Sequence, residues 1–106
     1  MQTRFISTSL FSREWKKLGG TNDDYLELTE YLSARGTEGL TRVTRFTRIV
    51  RAKIGKRGKS GGARVIVFAE VRGVVFLIYC YDRRKKKGLS QIEKQEIDEI
   101  CRSLMQ

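Results

Sequence analysis

Residues 64–81 read Arg64-Val65-Ile66-Val67-Phe68-Ala69-Glu70-Val71-Arg72-Gly73-Val74-Val75-Phe76-Leu77-Ile78-Tyr79-Cys80-Tyr81. Two runs rich in β-branched and aromatic residues, Arg64–Val71 and Val74–Tyr81, flank Arg72-Gly73, an arrangement that predicts a β-hairpin. Both runs are apolar toward either side. Both strands are therefore expected in the interior of a sheet covered on two faces.

Upstream, Ile54–Ala63 is a loop of Gly, Lys, Arg and Ser. Before it, Thr41–Val50 is rich in Thr, Val, Phe and Ile and reads as strand. Arg42, Arg45, Arg48 and Arg51 recur there every third residue. That spacing suits neither helix nor strand and predicts a bulge or break. Arg4–Ser7 is a candidate first strand. A helix is expected over Ser9–Leu18, with Phe11, Trp15 and Leu18 on one face and Gly19-Gly20 ending it. Thr21 and Asp24 form a capping box for a second helix reaching about Ala34, striped by Tyr25, Leu28 and Leu32. Downstream of the hairpin, Arg83–Lys87 is a basic exit loop. Ser90 and Glu93 then cap a last helix, with Ile97, Ile100, Cys101 and Leu104 as its buried stripe. The expected fold is α+β, in the order β-α-α-β-β-β-α, an antiparallel sheet with an N-terminal helix hairpin and a C-terminal helix.

The chain has 106 residues and a formal net charge of +10. Its length argues for one domain, residues 1–106. Charge is unevenly spread: residues 41–88 carry net +13, while the flanks carry −1 and −2. A patch of that density attracts phosphate backbones, with an affinity that falls as salt rises. No apolar run reaches the length of a membrane span, and Met1-Gln2-Thr3-Arg4 lacks the layout of a secretory signal. Cys80 and Cys101 lie within apolar patterns and read as buried reduced thiols. The cytoplasm is the expected compartment. With no histidine and two cysteines, neither a metal site nor a cofactor is expected.

The most informative loop is Lys53-Ile54-Gly55-Lys56-Arg57-Gly58-Lys59-Ser60-Gly61-Gly62. Gly58-Lys59-Ser60 matches the end of a phosphate-binding P-loop, but Lys53 stands where the first glycine belongs, and a strand follows instead of a helix. An ATPase or GTPase reading is rejected. Glycines in a basic loop still let backbone N–H groups and lysines approach phosphates. RNA cleavage needs a group to take the 2′-hydroxyl proton, one to stabilise the pentavalent phosphate and one to protonate the leaving 5′-oxygen. Lysines crowded by other cations, here Lys53, Lys56 and Lys59, have their pKa pushed down toward a useful range. Arg64 and Arg83 have planar forks suited to phosphate oxygens, and the hairpin should bring them together at one sheet end. Arg48, Arg51, Lys53, Arg57, Tyr81, Arg84, Lys85 and Lys86 are the candidate nucleic-acid contacts around them. Tyr79 and Tyr81 read either as stacking surfaces for bases or as core.

Gly58-Lys59-Ser60-Gly61-Gly62-Ala63-Arg64-Val65-Ile66-Val67 resembles the glycine-basic loop and strand of RelE/HigB-type toxins. Phe11 and Trp15-Lys16-Lys17-Leu18, Tyr79-Cys80-Tyr81-Asp82-Arg83, and Leu89-Ser90 with Glu93-Lys94 are also similar to that family. The resemblance implies a ribosome-dependent endoribonuclease that needs no metal and cuts mRNA in the ribosomal A site. It implies an antitoxin partner, of the helix-turn-helix HigA-like kind in the HigB branch. Arg64 matches the family's strand arginine and Arg83 the basic residue ending its last strand. Lysines before the strand arginine are catalytic in some members, and Lys53, Lys56 and Lys59 are the candidates here, with Lys56 and Lys59 put forward as catalytic. Where some members carry a C-terminal catalytic tyrosine or histidine, this chain reads Lys87-Gly88-Leu89. Two further readings stay open on the same residues: a non-catalytic toxin on this fold that poisons gyrase, or an RNA-binding module without nuclease activity.

Overall fold

The computed structural model describes residues 3–55, 62–69 and 72–106. Its elements are β1 (Arg4–Ser7), α1 (Ser9–Lys17), α2 (Asn22–Arg35), β2 (Thr41–Arg42), β3 (Arg48–Ala52), β4 (Ala63–Ala69), β5 (Val74–Asp82) and α3 (Gln91–Leu104). The sheet order is β1-β5-β4-β3-β2. The β4–β5 hairpin lies inside it, buried on both faces, as its two-sided apolarity requires.

The α+β architecture and its element order are those expected, with two differences in the sheet. First, β1 pairs with β5 in parallel, so the sheet is mixed; every other pairing is antiparallel. A four-residue strand whose partner lies seventy positions away carries no local pairing signal. Second, the break expected in the 41–50 segment is a full chain reversal that makes it two strands. Thr44 Oγ1 accepts the N–H groups of Phe46 and Thr47 at 3.2 Å each and lies 2.7 Å from the Thr47 hydroxyl. These local bonds reverse the chain, and the Val43 N–H then donates to Thr47 O at 2.9 Å. The three-residue arginine spacing is the trace of that reversal.

The helix hairpin covers one face. Thr8 caps α1 by accepting from the Phe11 N–H, and its hydroxyl donates to Ile78 O at 2.8 Å, fixing α1 to β5. Gly19, at φ 83°, and Gly20 close α1 with N–H bonds to Lys16 O and Trp15 O. A Cβ at Gly20 would meet the Trp15 indole at 2.4 Å, so the close approach of that ring requires glycine. Phe11, Trp15, Leu28 and Leu32 pack on Val50, Val65, Val67, Leu77 and Cys80. On the other face, Ile97 and Cys101 of α3 pack with Ile66, Phe68, Phe76, Ile78 and Tyr81. Both thiols are free and buried, and burial pushes each up to about 12. Among the described residues, no helix is long and apolar enough to cross a membrane.

One irregularity positions the site. Ile66 pairs with Tyr79 but Val67 pairs with Leu77, leaving Ile78 as an extra residue on β5. A bulge shifts side-chain alternation by one position. Phe76 and Ile78 face α3 before it, and Tyr79 and Tyr81 join that face after it. Without the bulge, Tyr81 would point away from the face that carries Arg64.

Candidate nucleic-acid interface

Register builds a row across three strands. Arg51 of β3 lies opposite Arg64 of β4, and Arg64 lies opposite Tyr81 of β5. In antiparallel pairs, opposed residues share a face, so the three side chains stand together on the α3 side. Arg83 follows β5 directly and, with Arg51, is close enough to act on Arg64 electrostatically. Arg64 and Arg83 therefore meet at one sheet end, as the hairpin reading requires.

Arg64 is only 8% exposed. Burial lowers its pKa, and the neighbouring charges of Arg51 and Arg83 lower it further. A guanidinium starts so far above neutrality that it stays charged. The cluster thus holds one desolvated guanidinium, Arg64, against the charges of two exposed ones, Arg51 and Arg83, a condition that an anion bound there relieves.

Tyr81 is 7% exposed, so its ring belongs to the core and offers no open face for a base. Its ring centroid is 6.0 Å from that of Tyr79, which is half-buried. Burial raises the Tyr81 pKa; Arg64, Arg83 and Lys86 pull it back in part. The phenol remains a proton donor set among three cations.

The exit loop is organised by two acids, Asp82 and Glu93, whose bonds to the loop the sequence did not predict. Asp82, buried at the end of β5, accepts the Arg84 N–H at 2.9 Å and the Arg84 guanidinium at 3.4 Å. Its carbonyl accepts the N–H groups of Lys85 and Lys86. Lys86 pairs with Glu93, whose other oxygen accepts the Ser90 N–H at 2.8 Å. The hydrogen bond to Glu93 raises the Lys86 pKa, and the same bond lowers that of Glu93. The start of α3 thereby holds the basic loop beside Tyr79 and Tyr81. An aspartate among five basic residues, and a glutamate seven positions from Lys86, were the available signals.

The remaining candidates divide by place. The β3–β4 loop leaves the sheet at the Arg64 end, since Ala52 pairs with Ala63. Its base is tied down by Asp24, which accepts the Gly55 N–H on both oxygens at 3.2 Å each. Burial works against that carboxylate's charge. N–H donors from Thr21 and Gly55, with Lys53 nearby, outweigh it and hold the pKa below the usual aspartate value. Lys53 is exposed beside this strap. Lys56, Arg57 and Lys59 lie outside the described residues. Arg48 does not join the cluster: it alternates with Arg51, shares the helix-hairpin face with Val50, and donates to Leu40 O at 3.3 Å. Among the described residues, no group of three or more Cys, Asp or Glu side chains is arranged as a metal site would need.

No protein-family model matches the chain, and no curated protein does. Ten chains of known structure match it. One is a double-arginine mutant of the E. coli toxin RelE in the free state, with a TM-score of 0.60 over 91% of this chain and 97% of that one, at 15% identity. The chain has the RelE fold. In this RelE-like frame, the arginine row crosses β3, β4 and β5 where the last strand runs into the basic loop.

Proposed function

We propose that this chain is the toxin of a type II toxin–antitoxin pair, a metal-independent endoribonuclease that cuts mRNA in the ribosomal A site and so inhibits translation. The observation that carries this reading is the cationic cluster of Arg51, Arg64, Arg83 and Lys86 around the Tyr81 phenol, on a RelE-like fold. Arg64 and Arg83 grip the scissile phosphate and stabilise its pentavalent state, for which guanidinium forks are suited. Lys56 and Lys59, in the loop that springs from the same sheet end, move protons. Arg51, Lys53, Arg57, Arg84, Lys85 and Lys86 follow the RNA backbone. The protein works in the cytoplasm with the ribosome and mRNA. A HigA-like antitoxin neutralises it by laying an acidic segment over residues 41–88.

The test is primer extension on an mRNA translated in vitro with purified protein, beside the same RNA without ribosomes. Cuts in codon register only with ribosomes are expected; cuts on naked RNA would replace this reading with a ribosome-independent nuclease. A non-cleaving toxin on the same fold is the second reading. The sequence Lys87-Gly88-Leu89 in place of a catalytic tyrosine or histidine favours it, and no cuts in either lane would overturn the nuclease reading and make gyrase or the ribosome itself the next target to test.

A further inference from the structure

The arginines spaced by three are not used up by this site. Arg42 of β2 stands directly opposite Arg48 of β3, and like charges so opposed destabilise a strand pair. Arg45 sits in the turn between them, where its carbonyl accepts the Arg42 guanidinium at 2.9 Å. The Arg45 guanidinium lies over the Phe46 ring, 5.2 Å from its centroid, and Arg102 reaches the same ring from α3 at 5.5 Å. Arg42, Arg45, Phe46 and Arg48 share one groove of about 420 Å³ with Glu38 as its acid. Arg42, Arg45 and Arg102 are exposed. Arg48 is level with Val67, three residues along β4 from Arg64, or about 10 Å at strand rise. The groove continues past Phe68 to Ala69, away from Arg64.

We infer that this arginine hairpin, with Arg102 of α3, is a second RNA-binding surface that takes the phosphate backbone of a double-helical RNA segment, separate from the strand held at Arg64. The inference rests on the RNA reading above and adds a second contact to it. Surfaces for single strands stack bases on open aromatic faces. Here Phe68 is buried, and the other ring of the groove, Phe46, is covered by the guanidiniums of Arg45 and Arg102. Duplex RNA is recognised through shape, phosphates and 2′-hydroxyls rather than splayed bases, and arginine forks ranged around the β2–β3 edge of the sheet, Arg42 and Arg48 toward one face and Arg45 and Arg102 toward the other, suit that backbone. A polyanion also offsets the Arg42–Arg48 repulsion.

The test is fluorescence anisotropy on the full chain over a salt series, with two probes: a short single-stranded RNA, and the same strand extended into a stem-loop. The proteins are wild type, Arg64→Ala, and the triple variant Arg42→Gln, Arg45→Gln, Arg102→Gln, each checked for an intact fold by urea unfolding. The triple variant should lose about tenfold in stem-loop affinity and about 2–3 from the slope of log K against log salt, and keep single-strand binding within about twofold. Arg64→Ala should show the converse. Stem-loop binding by the triple variant equal to wild type would overturn the inference. So would an acidic peptide, rather than the stem-loop, binding in a way the triple variant abolishes. If wild type binds the stem-loop but not the single strand, the site at Arg64 fails while this surface stands.

Discussion

The two arginine clusters of the sheet differ in that one is built around a buried guanidinium, Arg64, and the other is not. At the end where Ala63 pairs with Asp82, Arg64 is buried, set against Arg51 and Arg83, and beside a buried phenol. Along β2–β3 and the end of α3, Arg42, Arg45 and Arg102 lie exposed, two of them over one aromatic ring. Desolvated, fixed cations act strongly on charge that develops beside them and need no reorganisation. Exposed cations add affinity that salt screens and little more. Net charge of +10 alone does not distinguish a reacting centre from a landing surface; burial does.

The sharpest way to break that contrast is Arg64→Ala. Its loss should reduce mRNA cleavage by about 100-fold or more, the cost of removing one preorganised charge donor, and abolish growth inhibition, with far-ultraviolet circular dichroism unchanged. Arg45→Gln should leave the single-turnover cleavage rate of ribosome-bound mRNA near wild type. If both substitutions slow cleavage alike, the division between the two ends is wrong.

The next effect lies under the Arg64 end. Asp24→Ala leaves the Thr21 cap of α2 but removes the other half of its capping box, the carboxylate on the Thr21 N–H, together with the strap on Gly55, and should cost about 1–2 kcal/mol in urea unfolding. The pH dependence has a definite sign. The folded-state pKa of Asp24 lies below the ordinary aspartate value of 3.8. Its contribution is therefore full above that value and is lost as pH falls through the lowered one. The difference in urea midpoint between wild type and Asp24→Asn should be constant near neutrality and shrink under acid. A difference that grows on acidification would contradict the assignment.

Smaller still is Lys86→Met. The pair with Glu93 is about a third exposed on each side, so its stability effect should be about 0.5 kcal/mol by chemical denaturation. Because the pair holds the basic loop beside Tyr79 and Tyr81, RNA affinity should fall by more than that stability change suggests. Equal affinity for wild type and variant would mean the loop needs no such hold.

Much of this was legible in the sequence, because the signals were local. Both capping boxes, the Gly19-Gly20 stop and the two-sided apolar hairpin specified their elements through neighbours within a few residues. The pairing of Arg64 with the end of β5 followed from the turn at Arg72-Gly73; residues 70 and 71 there lie outside the described ones. What was not legible was long-range or irregular. The parallel partner of β1, the bulge that turns Tyr81 toward Arg64, and the strap from Asp24 to Gly55 each join positions with no common local pattern. Arg48 was grouped with Arg51 by charge, yet strand alternation places them on opposite faces.

The central claim is that the Arg64 end does the cutting. Primer extension on one translated mRNA, with equal amounts of folded wild type, Arg64→Ala and Arg45→Gln, tests it most directly. The account predicts codon-register cuts with wild type and Arg45→Gln and none with Arg64→Ala. Undiminished cuts with Arg64→Ala would contradict it.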